Sequence, residues 1–128
     1  SNANLARYRA TVLNFVAPNC GFCKRQIPVV EAVRAEYEPK NVAFINVGET
    51  LGRTSYSDKQ LRAAMQSLGS HLKLARDEGN RIGRTFRVYA FPTMVVLGPD
   101  GTVRYVNIGA RKDLADRLRR QLDALLGG

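Results

Sequence analysis

The sequence predicts a three-layer α/β domain on a mixed sheet, and three patterns predict it. Two buried-strand patterns, Thr11–Val16 and Val42–Val47, flank a long helical pattern; strands joined in that way pair in parallel through a right-handed crossover. Two later strand patterns, Thr93–Leu97 and Thr102–Asn107, are joined by the turn Gly98-Pro-Asp-Gly101, which makes an antiparallel hairpin. A final helical pattern carries an apolar face that must lie on a sheet.

Each element has its own warrant. Thr11–Val16 is apolar and rich in β-branched residues, the mark of a strand buried on both faces. Pro18 and Asn19 end it, and a helix runs from about Cys20 to Tyr37, with Cys23, Ile27, Val30, Val33 and Tyr37 on one face. Pro39 closes that helix, because the residue before a proline avoids helical geometry. Val42–Val47 is the second strand, and 48–56 is a loop. Ser57 with Gln60 forms a capping box before Leu61, Ala64, Met65 and Leu68, and Gly69 stops the helix. Leu72–Leu74 reads as a short strand and Asn80–Phe86 as a short helix. Leu114, Leu118, Leu122 and Leu125 or Leu126 form the apolar face of the last helix.

The 128 residues suit a single domain with a core of its own. Ser1-Asn2-Ala3 reads as an expression scar, leaving 4–128 as that domain. No apolar run approaches the roughly 18 residues of a membrane span. Net charge is +9, from fifteen Arg and five Lys against eleven Asp and Glu. Such a balance permits nucleic acid, anionic lipid or acidic protein as partners. The positive residues are spread from Arg7 to Arg120, with acidic ones among them and no basic–aromatic interleaving, so a solvated surface is expected rather than a nucleic-acid site.

Cys20 and Cys23 are the only cysteines, and two residues separate them. A structural zinc site needs four ligands, and the only histidine, His71, lies far along the chain; neither a metal nor a cofactor is expected. A disulfide across so small a loop removes little unfolded-state entropy. A redox role explains the placement better. Cys20 opens a helix after a buried strand, where free N–H groups and the positive end of the helix dipole favour a thiolate. A thiolate is the attacking species in disulfide exchange. Cys23, one turn further in, is suited to resolve the mixed disulfide. Lys24 and Arg25 add positive charge beside the pair, and Pro28 removes a helical hydrogen bond and is expected to kink the helix.

At these residues the chain resembles the thioredoxin-fold family, and within it the TlpA/ResA-like thiol–disulfide oxidoreductases. The resemblance rests on Val12-Leu-Asn-Phe-Val-Ala-Pro-Asn-Cys-Gly-Phe-Cys23, on Pro28, on Tyr89-Ala-Phe-Pro-Thr93 and on the Gly98–Gly101 turn. It covers nearly the whole chain and implies a thioredoxin-like three-layer α/β/α sandwich. It also implies a cis bond between Phe91 and Pro92, in a loop beside the cysteines that pairs with an extended substrate strand. The buried aspartate of thioredoxin falls on Asn14 here, which cannot titrate. ResA-like proteins share an asparagine there and carry a glutamate that falls on Glu49, in Asn46-Val-Gly-Glu-Thr50. Partial burial near a thiol would suit that carboxyl to relay a proton.

The chain departs from the family pattern at several places. It has no tryptophan, and Val16 and Asn19 stand where two are usual, which predicts a thinner cover over Cys20 and greater exposure of it. Phe22 stands where many relatives have proline, and 4–10 is too short for the usual N-terminal strand and hairpin. The expectation is therefore an enzyme in which Cys20 attacks, Cys23 resolves, Glu49 assists, Phe91 and Pro92 receive the substrate, and Asn14 and Pro28 support. Its partners would be protein disulfides and a membrane or soluble thiol electron donor. The resemblance implies a periplasmic or other extracytoplasmic location, a tether outside the sequence, a role in cytochrome c maturation and a monomer. The alternatives are a non-catalytic binding module and a basic nucleic-acid binder.

Overall fold

A computed structural model describes residue 5 and residues 7–48 and 56–127. In chain order the elements are β1 (Ala10–Val16), α1 (Gly21–Tyr37), β2 (Val42–Gly48), α2 (Asp58–Ser67), β3 (Lys73–Arg76), α3 (Arg81–Thr85), β4 (Thr93–Leu97), β5 (Val103–Ile108) and α4 (Leu114–Leu125). The five strands form one sheet in the order β3-β2-β1-β4-β5. β1, β2 and β3 run parallel, and β4 and β5 are antiparallel to their neighbours. This is the mixed sheet expected, in a thioredoxin-like fold.

Alternation along the strands divides the core in two. Val12, Phe44, Met94 and Val96 project to the face covered by α1 and α4, where they meet Val30, Val33, Tyr37, Leu114, Leu118 and Leu122. Leu114, Leu118 and Leu122 of α4 are fully buried, and each contributes about 2 kcal/mol by leaving water. Tyr37 ties the two helices together, its hydroxyl donating to Asp123 Oδ1 at 2.6 Å. The opposite face carries Leu13, Phe15, Val47, Val95 and Leu97. Among the described residues Ile82 and Phe86, from α3 and its end, pack on it, with Val88 and Phe91 beyond. A cavity of about 930 Å³ remains there, between Leu13, Ile45 and Val47 and the short helix.

Local chemistry explains where element ends differ from the sequence reading. Thr102 belongs to the turn and not to β5, because its carbonyl accepts from Gly98 N–H at 2.9 Å. β3 begins at Lys73, paired with Ile45, and Leu72 instead turns into the main core. α3 starts at Arg81 because Asn80 is left-handed, with φ 56°. Its free N–H groups are taken by the buried Asp77 carboxylate, which accepts from Ile82 at 2.6 Å and from Gly83 at 2.8 Å. The capping box at Ser57 and Gln60 makes both of its hydrogen bonds, and Gly69, with φ 93°, ends the turn after α2.

Candidate active site

β1 is the central strand, and the chain leaves its C-terminal end through Ala17-Pro-Asn19 to start α1. Cys20 is the N-cap of that helix. Its backbone is extended, with φ −103° and ψ 115°, and its Sγ accepts a hydrogen bond from the Cys23 N–H at 3.2 Å. Serine, threonine and aspartate usually do this work at a helix start; here a sulfur does it. The geometry stabilises negative charge on Cys20 Sγ through an aimed N–H and the unpaired N–H groups of the first turn. No carboxylate stands in that turn to oppose it. Cys20 and Cys23 are joined as a disulfide, with their Cα atoms 5.2 Å apart.

Both cysteines lie in a small apolar cluster with Val16, Ala17, Ile27 and Met65, and Leu68 and Phe91 pack against it. Cys20 is 7% exposed and Cys23 2%. The greater exposure of Cys20 expected from the missing tryptophans is thus corrected: Met65 and Leu68 from α2 and its end and the Phe91 ring supply the cover. Cys20 remains the more exposed residue of the two. Pro28 lies inside α1 on its exposed side and leaves the Lys24 carbonyl without its helical donor.

Phe91 and Pro92 lie just before β4, and the bond between them is cis. Thr93 pairs with Phe15 across the sheet, which brings this loop to the cysteine end of β1. Pro92 is buried, and its carbonyl accepts from Gly109 N–H at 2.8 Å. Glu49 directly follows β2 and lies outside the described residues. His71 is exposed, with its backbone N–H bonded to Glu31.

Beneath the pair the structure shows a buried polar chain that sequence reasoning largely missed. Asn14 donates through Nδ2 to Asn46 Oδ1 at 3.1 Å, and Asn46 donates through Nδ2 to Ser70 Oγ at 2.8 Å. All three are buried, and Asn14 Oδ1 and Gln26 Oε1 have no hydrogen-bond partner among the described residues. A signal was available: both asparagines interrupt apolar strands, and they are direct register partners.

The sequence matches the Redoxin family model over residues 1–125. Thioredoxin-like protein YneN of Bacillus subtilis (strain 168) is 26% identical over 115 residues, which cover 88% of this chain and 65% of that protein. The chain therefore spans just under two thirds of that relative's length. A candidate thiol:disulfide interchange protein DsbE from Chlorobium tepidum superimposes with a TM-score of 0.81 at 20% identity, over 97% of this chain and 84% of that one. A secreted Mycobacterium tuberculosis disulfide oxidoreductase homologous to E. coli DsbE gives 0.71 at 22%, over 95% and 85%. At these identities the likeness to solved structures is one of fold. The chain belongs to the Redoxin family, with a thioredoxin-like fold that sets its Cys20–Cys23 pair at the head of α1.

Proposed function

We propose that the protein reduces disulfides of protein substrates in an extracytoplasmic compartment, with Cys20 as nucleophile. One observation carries this reading: Cys20 Sγ sits at the N-cap of α1 and accepts from the Cys23 N–H, so the more exposed of the two cysteines is the one best able to hold a negative charge. The Cys20 thiolate attacks one sulfur of the substrate disulfide. The substrate S–S bond breaks, and its other sulfur leaves as a thiolate that takes a proton. Cys23 then loses its proton and attacks Cys20 Sγ, which releases the second substrate thiol. Two electrons have passed to the substrate, and the Cys20–Cys23 disulfide remains. A membrane-bound or soluble thiol donor returns it to the dithiol.

Glu49, next after β2, is proposed to relay the Cys23 proton. The Phe91–Pro92 stretch is proposed to pair with the extended substrate backbone, Asn14 to support the strand that presents the pair, and Pro28 to let the start of α1 tilt relative to the rest. The likeness to DsbE-described proteins, one of them secreted, supports an extracytoplasmic setting; a role there in cytochrome c maturation is proposed from the motif resemblance alone. The protein is taken to act as a monomer. The test is the equilibrium potential of the pair in glutathione and dithiothreitol buffers, together with Cys20→Ser. A potential near or below about −250 mV supports a reductant, and one near about −120 mV reverses the direction. Full exchange activity in Cys20→Ser would remove Cys20 from its role.

A further inference from the structure

Among the described residues the rim around the redox pair carries one sign of charge; Glu49, the proposed proton relay, lies outside them. The stretches that border the pair, 18–30, 86–93 and 108–112, contain no aspartate or glutamate. They do contain Lys24, Arg25, Arg87, Arg111 and Lys112. Lys24 and Arg25 stand exposed on the first turn of α1, beside Cys23. Arg87 is exposed in the stretch that leads from α3 to Phe91, whose ring packs against the cysteine cluster. Lys112 is exposed in the loop held to Pro92 by the Gly109 N–H. None of these four makes an ion pair among the described residues. Arg111 differs: with Arg117 it holds the Asp113 carboxyl well below the usual carboxylate range, and its charge is matched there.

The other described carboxylates at this end of the sheet are occupied or distant. Asp77 caps α3, Asp58 pairs with Arg76, and Glu78 follows β3, two strands away from β1. Two aromatic side chains complete the rim. Phe22, between the cysteines, is 55% exposed, and Tyr89 is 88% exposed. The Arg25 guanidinium lies 4.7 Å from the centre of the Phe22 ring, so one cation already stacks on it. The remaining surface can take an extended peptide whose apolar side chains reach the rings and whose charges oppose the rim.

From this surface we infer that the protein selects cysteine-bearing protein segments flanked by carboxylates. The inference rests on the thiol–disulfide reading above and names its substrate class. A focused positive rim raises the local concentration of such a segment and speeds encounter by roughly ten- to a thousandfold at low salt. It repels a segment flanked by lysine or arginine by the same physics.

The test uses the dithiol protein and three peptides of equal length, each carrying one cysteine capped as a mixed disulfide with 2-nitro-5-thiobenzoate. Attack and resolution convert protein dithiol plus capped peptide into protein disulfide, free peptide thiol and the coloured thiolate. The cysteine is flanked by aspartate and glutamate, by serine and glycine, or by lysine and arginine. The expected order of second-order rates is acidic, then neutral, then basic. Acidic and basic peptides should differ by at least about tenfold at 20 mM salt and converge by about 0.5 M. The double variant Arg87→Glu with Lys112→Glu should abolish or invert the order. Its turnover of uncharged hydroxyethyl disulfide should stay within about twofold of the parent. Equal rates for the three peptides, or an order that survives the double variant, would overturn the inference. So would competition by a single-stranded oligonucleotide far stronger than by the uncapped acidic peptide, because the rim would then be a phosphate-binding surface. Failure to turn over hydroxyethyl disulfide at all would instead sink the oxidoreductase reading.

Discussion

Replacing Asn46 by leucine tests the buried polar chain under the redox pair. Asn46 is fully buried, accepts from Asn14 Nδ2 and donates to Ser70 Oγ. Leucine fills nearly the same volume, so the packing cost is small, but it leaves the Asn14 donor and the Ser70 hydroxyl without their partner. Each unpaired buried group costs about 1–3 kcal/mol, partly offset by the apolar side chain gained. The net expectation is a loss of about 3 kcal/mol, a large share of the roughly 5–15 kcal/mol available to a domain. For a chain of this size that lowers Tm by about 10 °C.

The double variant Asn14→Leu with Asn46→Leu gives the sharper result. Asn14 Oδ1 is already buried and unpaired among the described residues, and the double change removes that group together with the stranded donor. Replacing both members of a buried pair can be nearly neutral, so the double variant should cost less than the sum of the singles by about 1–3 kcal/mol. Urea unfolding of the oxidised protein, with the disulfide intact in all four proteins, measures each corner of the cycle. If the two single costs add to within about 0.5 kcal/mol, the two amides do not act as a unit and the reasoning fails.

Other expectations follow from the same geometry. In the reduced protein iodoacetamide should modify Cys20 well before Cys23 near pH 6, as peptide mass mapping would show; equal labelling would contradict the role of the Cys23 N–H. Burial, and then the bond to the Asp123 carboxylate, push the Tyr37 phenol up to about 12. Below pH 10 the phenol is neutral folded and unfolded, so its stabilising effect is complete there and is lost as pH rises through about 12. Tyr37→Phe should therefore flatten the alkaline fall in urea stability between pH 10 and 12. Asp77→Ala should leave two N–H groups of α3 unpaired and cost about 1–2 kcal/mol by the loss of a cap, with hydrogen exchange fastest over 81–88. Pro28→Ala restores a donor for the Lys24 carbonyl and should add about 1 kcal/mol of stability; a loss would mean that α1 depends on the proline.

The sheet was legible because its signals are periodic. Apolar runs of seven residues or fewer, bounded by proline, glycine and asparagine, read as strands, and the order of helices between them settled the parallel pairs. The capping box at Ser57 was legible because a cap is a local pattern with a fixed spacing. The cover of the cysteines was not, because Met65 and Phe91 reach Cys20 only once α2 and the β4 loop have packed. Asp77 was missed for a related reason. It caps a helix that begins four residues later, beyond a left-handed Asn80, and no N-cap rule looks that far. The role of Asn46 lies in pairing across strands, which a residue-by-residue reading does not see.

Two sources of positive potential act on Cys20, and salt separates them. The N–H of Cys23 lies 3.2 Å from the sulfur, under an apolar cover, and mobile ions cannot come between. Lys24, Arg25, Arg87 and Lys112 are exposed, and beyond the Debye length of about 10 Å at 0.1 M their field is screened. If the cap dominates thiolate formation, alkylation of Cys20 by a neutral reagent should change by less than about twofold between 20 mM and 0.5 M salt. If the rim dominates, the same rate should fall several-fold. The first result would leave the cap to stabilise the thiolate and the rim to gather substrate, so charge reversal at Arg87 and Lys112 could retune specificity without disturbing the reactive sulfur. The second would make both properties depend on the same four side chains, and no variant of the rim could alter one alone.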